Sequence, residues 1–321
     1  MVVELFTPPR RAGRPLTVAL VNNMPDGAFT DTEDQFRRLV SGAGPNLDLE
    51  LYTITAIERS DRVALAIDAR YRDLDELWTR PPDALIVTGT EPTQPDMRDE
   101  PTWPYIARLL AWAADSVPTV LLSCLASHAS LLFFDGLQRE RLPHKCSGVY
   151  AGPVANPADP LAAGLPEQVV TPHSRLNEVP VTALVDAGYR IVVGGEESPV
   201  GWSVATRDIG NAQFVLCQGH PEYGTLSLLR EYRRDVRRYL QSRGALPYPL
   251  IPDGYLSRRA QRTLAEFAAV ATSANHDPQQ LAAAFPYRQI ADSVQNTWRA
   301  PSMTLYANWL ELARAAVATV A

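Results

Sequence analysis

The chain has little cysteine, little histidine, almost no lysine and no long apolar run. It has 321 residues, 46% of them hydrophobic and 21% charged. No apolar run reaches the roughly 18 residues of a membrane span. The first fifteen residues lack the apolar core of a secretory leader. Three cysteines, odd in number and irregularly spaced, fit a reduced cytoplasmic protein and exclude a disulfide framework. The five histidines are scattered and form no ligand pair at metal-site spacing, so no metal is expected. With a net charge of −6, nucleic-acid binding, which usually needs a basic face, is not expected. Of thirty basic residues all but one are arginine; the exception is Lys145. A position that keeps lysine among so many arginines is a candidate for a compact, flexible ammonium, which a planar guanidinium cannot replace.

What is present is regular. Residues 1–15 read as a loose N-terminal arm. Short buried strands are expected at 16–21, 47–54, 84–87 and 118–123. Helices are expected from Asp31, around 103–115 and directly after Cys124, with helix and loop over 57–79. This alternation predicts an α/β fold: a doubly wound, mostly parallel sheet flanked by helices. Shorter strands around 168–170, 189–193, 201–206 and 213–217 suggest an antiparallel edge. A helix at 225–242 closes a catalytic domain of 16–242. The Pro/Gly-rich stretch 243–256 and an Ala-rich helical stretch to 285 read as a linker and insertion. Residues 286–321 read as a C-terminal segment whose helix, 304–319, packs back on that domain.

Cys124 stands where a buried strand meets a helix start and is followed by small residues. Such a turn exposes a nucleophile, surrounds it with backbone N–H groups and favours its thiolate. A buried structural cysteine is the commoner fate of this residue type. Gln218-Gly-His-Pro-Glu-Tyr follows another apolar strand. In an extended loop His220 and Glu222 point to one side, as a base and the carboxylate that orients it must. Both motifs fall after strand C-termini, the edge at which open α/β sheets bind ligands. His128, one helical turn after Cys124, is a competing base or, more simply, a packing residue. Thr171-Pro-His-Ser-Arg reads as a polar turn. Arg234 lies in an arginine run that by itself suggests a solvated face.

Together these pieces resemble the homoserine O-acyltransferases of the O-succinyltransferase type, enzymes of methionine biosynthesis with a class I glutamine amidotransferase-like fold. The resemblance runs from about Leu16 to Leu310. It is carried in order by Val21-Asn-Asn-Met-Pro with Thr32-Glu-Asp-Gln-Phe, Val87-Thr-Gly-Thr, the strand leading to Cys124, Lys145-Cys-Ser-Gly-Val-Tyr, Pro172-His-Ser-Arg, Gly219-His-Pro-Glu-Tyr, Glu231-Tyr-Arg-Arg-Asp, and Thr297-Trp-Arg-Ala with Asn308-Trp-Leu. It implies Cys124 as the acylated nucleophile, His220 as general base and Glu222 as its partner. It also implies Lys145, Ser174 and Arg234 as substrate contacts, and Thr93 at the acyl-specificity position, where succinyl users have Gly and acetyl users Glu. Backbone groups of Leu125 and of the Gly89–Thr90 turn would hold the oxyanion. The sequence departs from the family at Leu125 and His128, where Trp and Gln are usual, and at Ala151-Gly, where Glu-His is usual; Ala126 fits the Gly or Ala usual there.

The expected activity is transfer of an acyl group, succinyl or acetyl, from acyl-CoA to the hydroxyl of L-homoserine. Acyl-CoA is a co-substrate and no cofactor is needed. A cytoplasmic homodimer is implied by the resemblance. The alternatives are acylation of another amino acid such as serine, a Cys-His-Glu hydrolase of the amidotransferase kind, and a non-enzymatic relative.

Overall fold

In the computed structural model, which describes residues 14–243, 245–273 and 277–320, the apolar runs form the strands of one sheet. The strands in chain order are β1 (Leu16–Val21), β2 (Leu47–Tyr52), β3 (Ala84–Val87), β4 (Thr119–Ser123), β5 (Glu140–Pro153), β6 (Gln168–Glu178), β7 (Arg190–Gly194), β8 (Trp202–Ile209) and β9 (Ala212–Cys217). Seven of them pair in the order β2-β1-β3-β4-β9-β8-β7. The first five in that order run parallel, and β8 and β7 extend the sheet antiparallel, as the closer strand spacing predicted. The strand order reverses between β1 and β3, which makes a crevice at their C-terminal ends.

Helices cover both faces. The major ones are α1 (Asp26–Gly42), α4 (Trp103–Ser116), α5 (Leu125–Asp135), α7 (Ser227–Gln241), α8 (Arg258–Ala271) and α11 (Arg299–Val320). Shorter ones are α2 (Asp61–Arg70), α3 (Asp75–Thr79), α6 (Val181–Asp186), α9 (Pro278–Ala284) and α10 (Tyr287–Ala291). One core layer packs α4 and α5 on the sheet through Leu109, Leu110, Leu122 and Leu131. The other packs α1 and α11 through Phe36, Tyr306, Trp309 and Leu310. Trp309 also donates its indole N–H to Thr119 Oγ1 at 2.8 Å, which fixes the C-terminal helix beneath β4. No helix among the described residues is long and apolar enough to cross a membrane.

The expected arm over 1–15 lies outside the described residues except for Arg14 and Pro15. The helix expected from Asp31 begins five residues earlier, at Asp26, and the C-terminal one at Arg299. The helical stretch expected over 257–285 is two helices, α8 and α9. These share an apolar cluster with α7, through Leu229, Tyr232, Leu264 and Phe285. The largest departure is the β5–β6 ribbon. Residues 140–153 form a strand that the pattern hid, and 171–175 is the middle of β6, not a turn. Pro143, Gly148, Gly152 and Pro172 break the alternation that marks a strand. Gly148 is required by close approach: a Cβ there would lie 2.4 Å from the carbonyl oxygen of Asp253.

Candidate active site

Four strand ends meet at the crevice. The chain after β1 supplies Asn23, after β3 Thr88, Gly89 and Thr90, after β4 Cys124, and after β9 His220 and Glu222. Cys124 has φ 49° and ψ −106°, a conformation that strains any side-chain-bearing residue. The surroundings enforce it. The Cys124 N–H donates to Cys217 O at 2.7 Å, and its carbonyl accepts from Ser127 N–H at 3.0 Å. The strained turn lifts the thiol into a partly exposed position at the first turn of α5. Of the three free cysteines, Cys217 is fully buried. Burial pushes the Cys217 and Cys146 thiols up, away from reactivity.

His220 Nδ1 and Glu222 Oε1 are 2.8 Å apart, and Ser123 Oγ donates to the same oxygen at 2.9 Å. The His220 N–H donates to Pro172 O at 2.7 Å, so β6 holds the catalytic loop. Tyr223 stacks on the imidazole with ring centroids 4.2 Å apart. The outward nitrogen, Nε2, has no hydrogen-bond partner in the described chain, and the ring interacts electrostatically with the Cys124 sulfur. Burial disfavours the imidazolium, yet Cys124 and Glu222 together raise His220 well above its ordinary value of 6.5. This favours the imidazolium form of His220.

The N–H groups of Gly89, Thr90 and Leu125 make no hydrogen bond within the described chain. A Cβ on Gly89 would lie 2.9 Å from Leu125 Cβ and 3.0 Å from Leu125 N, so the two segments approach closely only because residue 89 is glycine. They border a cleft with apolar walls from Met97, Trp103 and Ile106. Thr93 lies in the loop above it. Its N–H and Oγ1 both donate to Glu100, at 2.6 and 2.8 Å.

Lys145 and Ser174 meet around Glu231, which also bonds the Tyr223 stacked on His220. Lys145 Nζ lies 3.2 Å from Glu231 and 2.7 Å from Asp235. Ser174 and Tyr223 hydroxyls donate to Glu231. Burial alone would raise the Glu231 carboxyl, but Lys145, Ser174 and Tyr223 hold it below its ordinary value. Arg234 borders this cluster, 3.2 Å from Asp235, with its side chain 45% exposed. Sequence reasoning missed Ser123, Tyr223 and Glu231 as site residues. Tyr223 and Glu231 stood inside quoted motifs, but nothing in their spacing marks an acid that gathers a lysine and two hydroxyls.

His128 is not a second base. It is buried, its Nε2 pairs with Gln218 Oε1 at 3.1 Å, and burial lowers it to about 4. His173, also buried, is lowered well below 6.5 by burial and by Arg175. Unfolded histidines take up protons as pH drops below about 6.5, whereas these two stay neutral in the fold. Stability therefore falls with falling pH from about 6.5, with His128 alone withdrawing on the order of 3 kcal/mol by pH 4. His220 has the opposite sign: its contribution is complete below about 6.5 and is lost as pH rises through its elevated folded value. Urea unfolding of His128→Gln should show a shallower loss of stability between pH 7 and 4.5 than the unsubstituted chain; equal losses would refute this.

The family model for homoserine O-succinyltransferase matches residues 1–318. A homoserine O-succinyltransferase of Methylorubrum extorquens is 40% identical over 314 residues, covering 98% of this chain and 92% of that protein. One of Rhodopseudomonas palustris is 38% identical over 301 residues, covering 93% and 88%. A glutamine amidotransferase crystal structure from Methylobacillus flagellatus aligns with TM-score 0.50 and 15% identity over 93% of this chain and 95% of that one; at this identity the likeness is one of fold. With the fold, the match over nearly the whole chain and the identities to these relatives all in agreement, the chain belongs to the homoserine O-succinyltransferase family.

Proposed function

We propose that this protein acylates the side-chain hydroxyl of L-homoserine by double displacement through acyl-Cys124. The observation that carries the reading is the Cys124–His220–Glu222 constellation at the strand ends, beside unbonded N–H groups. The Cys124 thiolate attacks the acyl-CoA thioester. The oxyanion accepts hydrogen bonds from Leu125 N–H and the Gly89–Thr90 turn. The carbon–sulfur bond to CoA breaks, and His220 Nε2 gives its proton to the departing thiolate. The neutral imidazole then takes the proton of the homoserine hydroxyl as its oxygen attacks acyl-Cys124, which releases the ester and restores the thiolate. Glu222 orients His220 and balances its charge.

The acceptor is a zwitterion and needs partners of both signs. Lys145, Arg234, Ser174 and Glu231 supply them on one side of the imidazole, and Arg234 is suited to the carboxylate. Thr93, bonded to Glu100 of the cleft wall, is the position at which the family resemblance implies a role in acyl choice. The reaction needs no cofactor beyond the acyl-CoA co-substrate and belongs to a cytoplasmic homodimer, as the family resemblance implies.

Steady-state rates with acyl-CoA and L-homoserine test the reading. Parallel double-reciprocal lines and an O-acylhomoserine product support it; intersecting lines, or CoA release indifferent to homoserine, refute the double displacement. Gly89→Ala should reduce kcat about 100-fold by wedging the oxyanion donors apart, with the circular dichroism spectrum retained. A kcat within a few-fold of the unsubstituted enzyme would remove that turn from the mechanism.

A further inference from the structure

The glycine that lets the β3 turn approach Leu125 also leaves that turn free to move. Glycine rotates readily, so the Gly89–Thr90 peptide can present either its N–H or its carbonyl oxygen to the cleft. Thr88, fully buried at the end of β3, settles which. Its own N–H donates to Val21 O at 3.0 Å. Its Oγ1 accepts the Asn23 N–H at 2.8 Å, and its hydroxyl proton goes to Gly89 O at 3.0 Å. Among the described residues this is the one hydrogen bond made by the Gly89–Thr90 peptide. Asn23, also buried, is held in turn, because its Oδ1 accepts the Ile54 N–H at 3.3 Å. The segments that leave β1, β2 and β3 are thus tied together around one hydroxyl.

In a trans peptide the carbonyl and the N–H point to opposite sides. A Gly89 carbonyl drawn onto Thr88 therefore turns the Thr90 N–H away from Thr88, and that N–H has no partner within the described chain. Thr88, Gly89, Thr90 and Leu125 all line the cleft. We infer that Thr88 is a positioning residue of the oxyanion site: its hydroxyl, oriented by the Asn23 N–H, holds Gly89 O aside so that the Thr90 N–H meets the oxyanion formed when Cys124 attacks the thioester. With the hydroxyl removed, the amide is free to flip and set a carbonyl oxygen against that charge. The inference rests on the acyl-Cys124 reading above. It gives the Val21-Asn-Asn and Val87-Thr-Gly-Thr segments a shared task.

The test compares two reactions of the same sulfur. Acylation by acyl-CoA builds charge on a carbonyl oxygen, whereas alkylation by iodoacetamide is a displacement at a methylene carbon and builds none there. Initial rates of both are read on the full chain by intact mass, without acceptor, with succinyl-CoA and acetyl-CoA as donors and Cys124→Ala as the blank. Thr88→Val, close in shape but without the hydroxyl, should slow acylation about 30-fold and leave alkylation within about twofold. Thr88→Ser keeps both hydrogen bonds and should recover acylation to within about threefold. If valine disturbs the strand end and slows both reactions, Thr88→Ala, which sets no bulk against the Asn23 N–H, is put through the same comparison. Equal slowing of both reactions in both variants, unchanged acylation, or a serine variant as slow as the valine one would overturn the role of Thr88 and leave the acyl-enzyme standing. Absence of a Cys124 adduct on the unsubstituted chain with either donor would overturn the acyl-Cys124 reading, and the inference with it.

Discussion

Cys124→Ala is expected to cut kcat/KM for acyl transfer by about 10⁴-fold or more, with the fold retained. Alanine keeps the Cβ that the strained elbow already accommodates, so the bonds from Cys124 N–H to Cys217 O and from Ser127 N–H to Cys124 O should survive. What disappears is the sulfur that, in the proposed double displacement, carries the acyl group between donor and acceptor. His220→Asn should lose a comparable factor, because the departing CoA then lacks its proton donor and the acceptor hydroxyl its base. The double variant should be little worse than either single one, since residues that act as a unit are strongly non-additive. Rates of CoA release and of ester formation check all three. Activity of Cys124→Ala within about tenfold of the unsubstituted enzyme would show that the acyl group never resides on this residue.

Glu222→Gln is expected to lower kcat about 10³-fold with a much smaller change in KM. The carboxylate oxygen Oε1 serves two neighbours, His220 Nδ1 at 2.8 Å and Ser123 Oγ at 2.9 Å. An amide can turn its NH₂ toward Nδ1, which drives the ring into the tautomer with its proton on Nε2. That tautomer cannot accept a proton from the homoserine hydroxyl. Glutamine also removes one of the two negative charges that raise His220, so the imidazole titration, followed by NMR, should move down. Ser123→Ala removes one neutral hydrogen bond from the carboxylate and should lower kcat only about tenfold. If Glu222→Gln and Ser123→Ala have equal effects, the carboxylate's charge plays no part in catalysis.

The parallel sheet and its crevice were legible because buried strands write themselves as short apolar runs. The sequence Leu16–Val21, for example, is buried at nearly every position. The Cys124 elbow was legible because a strand ran into helix-forming residues without a turn residue between them. The β5–β6 ribbon was not. Its residues face the His220 loop and the Asp253 backbone, so Gly148, Pro172 and His173 are dictated by close approach and hydrogen bonding, and no apolar alternation survives. Lys145 was singled out by being the only lysine, yet its partners Glu231 and Asp235 come from a helix more than eighty residues later.

The most direct test of the central claim is the intact mass of the full chain after mixing with succinyl-CoA, and separately acetyl-CoA, in the absence of acceptor, followed by addition of L-homoserine. The expected result is a single added acyl mass from one of the two donors, absent in Cys124→Ala and discharged by L-homoserine with the appearance of the ester. An adduct that persists in Cys124→Ala, or turnover to the ester without any adduct on the unsubstituted chain, would contradict it.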